Sequence, residues 1–219
     1  MPQAGNRTAV KDIQQGNKVK ELNLLITGAG GQGIILASDI IGETAIAAGY
    51  DVKKTDTIGM AQRGGSVLSH LRIARQVWSP LIRQGEADLL LALEKLEAAR
   101  WSSYLRPGGI AIVNNHALPP LSVSLGNARY PGDDEIKDIL KQITDQVFFI
   151  NGTARAKALG NIRTLNIFML GGASLFLPFK VSVWRESIAR RLPEKVREIN
   201  LTAFDHGRKE VKGVRIRKS

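Results

Sequence analysis

The chain has 219 residues, a net charge of +11 and no cysteine. Its length fits one large domain or two small ones and lets it bury roughly 70% of the surface exposed by the unfolded form, so it needs no covalent staple. The missing thiols exclude disulfides, cysteine-ligated iron–sulfur clusters and thiol nucleophiles within this chain, and they fit a reducing compartment.

Residues 1–20 are polar, carry Arg7, Lys11, Lys18 and Lys20, and lack the apolar core of a signal peptide. They are expected to be a flexible arm. LNLLIT (22–27) is a short apolar run ending in glycines and reads as a buried strand. From Gly33 to Ala48, the residues Ile34, Ala37, Ile41, Ala45 and Ala48 recur at helical steps, with Asp39 and Glu43 on the wet side and Gly49 as the stop. DVKKTDTI (51–58) and VLSHLRI (67–73) read as strands, ADLLLAL (87–93) as a buried strand, EKLEAARWSSYL (94–105) as a helix ended by RPGG, and IAIVNN (110–115) as the next strand.

A proline-containing loop follows, then YPGDDEIKDILKQI, whose leading acids suit a helix N-terminus. VFFIN (147–151) reads as a strand, and Thr153 is placed to cap the helix after it. The segment LNIFMLGGASLFLPF (165–179) is the longest apolar run. Its 15 residues include Asn166, Ser174 and Pro178, and a membrane span needs about 18 or more. Being apolar nearly all round, the helix at 165–177 belongs in the core or at a subunit contact. Residues 181–210 read as a helical segment broken near Pro193. Residues 207–219 are strongly basic and are expected to form a solvated tail. The expected organisation is therefore an arm at 1–20, a single domain at 21–206 and a tail at 207–219, in a soluble, cytoplasmic protein.

Strands alternating with helices predict an α/β fold: a three-layer α/β/α sandwich with a Rossmann-like, mostly parallel sheet. The adjacent strand pair at 51–73 breaks the alternation and predicts one antiparallel strand.

Two glycine loops stand out. GAGGQG (28–33) matches G-x-G-x-x-G between a strand and a helix. In that motif Gly28 lets the chain turn, Gly30 allows backbone to approach a ligand, and Gly33 lets helix pack on sheet. Gly31 and Gln32 complete the loop, and the following helix N-terminus offers amides and about half a positive charge to a phosphate. A dinucleotide site also wants an acid about 20 residues on for the ribose. Asp56 lies 23 residues past Gly33, which keeps an independent NAD(P)-binding oxidoreductase open as an alternative. GMAQRGGS (59–66) is donor-rich and acid-free: Gly59, Gly64 and Gly65 can form an amide nest, Arg63 offers a planar fork, and Gln62 and Ser66 are neutral donors beside Met60. That composition suits an anionic guest or an acidic partner surface.

NLLITGAGGQGIILASDIIGETAIAAGYDV, DTIGMAQRGGSVLSHLRI and GEADLLLALEKLEAAR together resemble the gamma-type subunit or domain of 2-oxoacid:ferredoxin oxidoreductases. The nearest form is the beta subunit of the indolepyruvate type. GMAQRGGSV is the most specific stretch, and NGTARAKALGNIRTLNIFMLGGA resembles the family's later segment. The resemblance implies a complex that decarboxylates a 2-oxoacid on thiamine diphosphate, passes two electrons through iron–sulfur clusters to ferredoxin and transfers the acyl group to coenzyme A. For the indolepyruvate type it implies aryl pyruvate substrates.

This chain cannot hold a cysteine-ligated cluster, and its NN at 114–115 is not preceded by the G-D-G segment of the family's thiamine sites. Thiamine diphosphate and the clusters are therefore expected on a catalytic partner subunit. The present chain is expected to be a non-redox component, with its glycine loops at the subunit interface and at the coenzyme A entrance. Isolated, it could pair with itself through the surface that meets the partner.

The three histidines are scattered, with no metal-ligand spacing. His70 reads as structural, His116 as able to reach the crevice, and His206 as solvated. Glu94 and Glu97 open a helix, and Glu94 also ends a strand, where site residues gather. The basic charge raises nucleic acid as a partner, but the aromatic share is 5%, and Trp78, Trp101 and Trp184 are too far apart in sequence to form a stacking platform. Neither nucleic acid nor membrane is expected as a partner.

Overall fold

The computed structural model describes residues 21–58 and 65–218. Six strands, β1 (Glu21–Ala29), β2 (Asp51–Ile58), β3 (Ser66–Ala74), β4 (Ala87–Ala92), β5 (Leu105–Asn114) and β6 (Val147–Ile150), form one sheet in the order β2-β3-β1-β4-β5-β6. β1, β4, β5 and β6 pair in parallel, and β3 runs antiparallel to both β1 and β2. The expected mostly parallel sheet with one antiparallel strand is what forms.

The helices are α1 (Ile34–Ala47), α2 (Lys95–Arg100), α3 (Leu121–Ser124), α4 (Asp133–Lys141), α5 (Gly152–Ala158), α6 (Leu165–Ala173), α7 (Val181–Arg191) and α8 (Glu194–Lys218). They cover the sheet on both faces, which explains why the central strands are continuous apolar runs. Alternation sorts their side chains. Leu24, Ile26, Leu89, Leu91 and Ile112 enter the core beneath α1, α6, α7 and α8, while Leu25, Leu90, Ala111 and Val113 enter a second core beneath α2 and α4. Each fully buried leucine or isoleucine contributes about 2 kcal/mol.

α6 is buried along its whole length, so the apolar helix near 165–177 is core. It meets α8 backbone to backbone. A Cβ on Gly171 would lie 2.0 Å from the Phe204 carbonyl oxygen, and one on Gly207 would lie 1.8 Å from that of Phe168. The expected division at 206/207 is therefore corrected, because α8 runs through it. Gly207 and Val211 are buried, and Val214 packs against the same core. The helical break near Pro193 forms between α7 and α8.

Three local expectations also change. The helix predicted for 94–105 ends at Arg100, a short 3-10 turn follows, and RPGG lies inside β5 at a register shift. Thr153 does not cap α5; it lies within the first turn behind Asn151. Buried Asn114, at the end of β5, holds that turn instead: its Oδ1 accepts from the Thr153 amide at 3.1 Å, and its Nδ2 donates to Thr153 Oγ1 at 2.8 Å and to the Leu93 carbonyl at 2.9 Å.

Candidate functional site

The C-terminal ends of β1, β4, β5 and β6 and the start of β3 share one rim, where an open α/β sheet gathers its ligands. The first glycine loop turns there. The Gln32 side chain closes it: Oε1 accepts from the Ala29 amide at 2.8 Å, and Nε2 donates to the Leu93 carbonyl at 3.1 Å. A Cβ on Gly28 would come within 2.6 Å of that Oε1. Gly33 is left-handed at φ +81°, and its carbonyl accepts from the Asn166 side chain at 3.3 Å. Gly31, at φ +96°, is exposed to open space. The N-cap of α1 is Gly33, which has no side chain to cap it, so the first-turn amides of α1 are left for other partners at the rim.

Gly59, Met60, Gln62, Arg63 and Gly64 lie outside the described residues. The end of their loop is described, and it reaches the first loop. The Gly30 amide donates to the Gly65 carbonyl at 2.8 Å, and Ser66 stands opposite Ala29 in the ladder. Between these loops and the 118–122 segment lies a crevice of about 260 Å³, lined by Ala29, Gly65, Ser66, Glu94, Glu97 and Arg100 among others. That is small for an organic cofactor, so this chain alone offers room for one group of a larger ligand.

The loop is acid-free in sequence, but the floor beneath it is not. Glu94 and Glu97 are 1% and 5% exposed, and each carboxylate is matched by donors. Glu94 accepts from the Glu97 amide at 2.9 Å, from the Leu118 amide at 3.0 Å and from the Tyr130 hydroxyl. Burial, and then the Glu94 carboxylate, push the Tyr130 phenol well above the ordinary tyrosine range. Glu97 accepts from Ser66 Oγ and from Trp101 Nε1 at 3.2 Å, and pairs with Arg100 at 3.2 Å. One carboxylate thus fastens both ends of the 118–130 excursion, and the other fastens the exit of the second glycine loop. Of these residues, Glu94 is legible in sequence through its strand-end position. Tyr130 and Asn114 carried no local signal, because their partners are distant in sequence.

The three histidines are not gathered together, although His116 stands at the rim after β5. His70 is buried in β3, accepts from the Ile82 amide at 3.3 Å and meets the Tyr104 ring edge-on. His116 is partly buried in the loop after β5, and His206 is exposed on α8. Among the described residues, no group of three histidine, aspartate or glutamate side chains is placed to hold a metal ion. No helix among them is long and apolar enough to cross a membrane.

Asp56 does not meet the first loop. β3 intervenes between β1 and β2, so Asp56 sits two strands away, roughly 10 Å across the sheet. There it pairs with Lys54 at 3.0 Å and accepts from Ser69 at 2.6 Å. Asp56 is therefore not beside the first loop, where a ribose contact would need it.

The family model for pyruvate ferredoxin/flavodoxin oxidoreductase matches residues 23–210. Indolepyruvate oxidoreductase subunit IorB of Pyrococcus horikoshii is 36% identical over 197 residues, covering 89% of this chain and 98% of that protein. Among solved structures, the gamma subunit of a keto/oxoacid ferredoxin oxidoreductase from Geobacter sulfurreducens PCA shares the fold with a TM-score of 0.70 at 24% identity, over 89% of this chain and 98% of that one. The 2-oxoglutarate:ferredoxin oxidoreductase of Magnetococcus marinus, solved with 2-oxoglutarate, coenzyme A and succinyl-CoA, shares it with a TM-score of 0.68 at 23% identity, over 90% of this chain and 32% of that longer one. This chain belongs to the pyruvate ferredoxin/flavodoxin oxidoreductase family and is a subunit of such an oxidoreductase.

Proposed function

We propose that this chain is the non-redox subunit of a cytoplasmic, thiamine-dependent indolepyruvate or aryl pyruvate:ferredoxin oxidoreductase that makes an acyl-CoA. Its two glycine loops meet the catalytic subunit and border the entrance for coenzyme A. That partner holds the thiamine diphosphate and the iron–sulfur clusters and delivers electrons to ferredoxin. The identity to IorB supports the substrate class. The absence of any cysteine supports placing the clusters elsewhere.

The observation that carries the site reading is the Gly30–Gly65 hydrogen bond. It brings the end of the second loop against the first at one rim, beside the first-turn amides of α1 that a phosphate-bearing guest would use. The crevice is too small for all of coenzyme A, which fits an entrance completed by the partner.

The test is Arg63→Ala in the assembled enzyme. A lost charge-assisted hydrogen bond predicts a KM for coenzyme A raised roughly 10- to 100-fold, with the KM for the 2-oxoacid unchanged. An unchanged coenzyme A KM with intact assembly removes the coenzyme A role.

A further inference from the structure

At the pole opposite the glycine loops, about 25 Å away along β1, the connection from β3 to β4 (residues 75–86) places Trp78 85% and Leu81 61% in solvent. A large apolar pair in a loose loop would mean little, but this loop is fixed. Val77 and Ile82 are its buried pegs, 5% and 4% exposed. The Val77 amide donates to Asp51 Oδ2 at 2.8 Å, and the Ile82 amide to His70 Nδ1 at 3.3 Å. Arg72 Nη1 donates to the carbonyls of Ser79 at 3.3 Å and Leu81 at 3.4 Å, and the Gly85 amide to the Ser103 carbonyl at 3.0 Å. The backbone that carries Trp78 and Leu81 is thus ordered before any contact is made, which lowers the cost of binding through them. Exposed Arg75 and Arg83 flank the pair and carry no ion pair among the described residues.

We infer that the 75–86 loop is a second docking site of this subunit: Trp78 and Leu81 enter an apolar socket, rimmed with carboxylates, on another polypeptide of the oxidoreductase. Membership of a multi-subunit enzyme supplies such a neighbour. The two arginines and the net charge of +11 favour an acidic surface and disfavour two such loops meeting across a symmetric dimer. The inference rests on the family and on this loop, not on the glycine-loop crevice.

The test compares the full chain alone with the complex co-purified from its co-expressed subunits. Amides of 75–86 should gain hydrogen-exchange protection in the complex. Trp78→Ala should raise the dissociation constant roughly 30-fold, and Arg75→Glu with Arg83→Glu should also weaken assembly. Because Trp78 is 85% exposed, Trp78→Ala should keep the melting temperature of the chain. Arg63→Ala should leave the 75–86 protection intact, which separates failure here from failure of the coenzyme A reading. Unchanged exchange together with unchanged affinity would overturn the inference. So would Trp78-dependent binding to phosphatidylserine vesicles without any effect on assembly, Trp78-dependent self-association of the lone chain, or shielding of Trp78 from iodide that disappears when residues 1–20 are deleted.

Discussion

Replacing Gly207 by alanine tests how α8 is held on the molecule. The added Cβ would lie 1.8 Å from the Phe168 carbonyl oxygen, 2.8 Å from its carbon and 3.3 Å from the Gly172 nitrogen. All three obstacles are backbone, so no rotamer change relieves them, and α8 must withdraw from α6 until the contact reaches about 3.4 Å. A gap of 0.5–1 Å already forfeits about a quarter to a half of the dispersion attraction, and here the gap would run through the packing of Phe168, Phe204 and Val211. Overpacking costs about 1–3 kcal/mol and sometimes more; this geometry belongs at the upper end, near 4 kcal/mol. Better helix propensity offsets about 1 kcal/mol of that, leaving a net loss of about 3 kcal/mol, or roughly 6–12 °C in Tm for a chain of this size. Gly213 on the same helix is the control: nothing lies within 4 Å of its Cβ position, so Gly213→Ala should be neutral or stabilising by up to about 1 kcal/mol. Thermal and urea unfolding of the full chain, followed by circular dichroism, measure both. Equal stability of Gly207→Ala and Gly213→Ala would refute the backbone-contact account of α8.

Three other outcomes are expected. Asn114→Ala removes a buried side chain with three hydrogen bonds and orphans the Thr153 amide, so urea unfolding should show a loss of about 2–4 kcal/mol. Gly31→Ala, at a left-handed but open position, should cost about 1–2 kcal/mol, whereas Gly33→Ala adds a 2.5 Å contact with Asn166 Nδ2 and should cost more; equal losses would contradict the packing of the loop on α6. Burial depresses the His70 pKa below its ordinary value, about 6.5 when unfolded. The unfolded chain therefore binds that proton first, so the contribution of neutral His70 is fully present above about pH 6.5 and declines as pH falls through that value towards the folded pKa. Unfolding free energies of wild type and His70→Gln between pH 5 and 8 should show a shallower acid decline in the variant.

Much of the fold was legible because period and punctuation are local. The run from Leu22 to Gly33 announces strand, turn and helix, and β4 and β6 are apolar runs that only a doubly covered sheet accommodates. Sheet order was not legible: nothing in residues 51–74 says that β3 enters beside β1, which is why Asp56, at the right spacing for a ribose, lies on the wrong strand. The end of α8 was misread because Gly207 and the basic residues after it imitate a stop followed by a solvated tail. The glycine is there for close approach to Phe168, a contact across a long sequence separation. In the candidate site, Gln32 reads as one more residue of the first glycine loop, but both ends of its amide are engaged in holding that loop closed. Glu94 and Glu97 read as dipole complements of α2; their second role, as anchors of the crevice walls, depends on Leu118, Tyr130 and Ser66 arriving from elsewhere in the chain.

The amide-to-carbonyl link from Gly30 to Gly65 also makes the rim a place where two binding events can sense each other. If a guest seats on the first turn and a protein surface on the second, as proposed, both would act on the two segments this bond joins. Any coupling through that bond would be reciprocal: assembly would tune the entry of the small molecule by the same factor by which saturation with that molecule tightens or loosens the assembly.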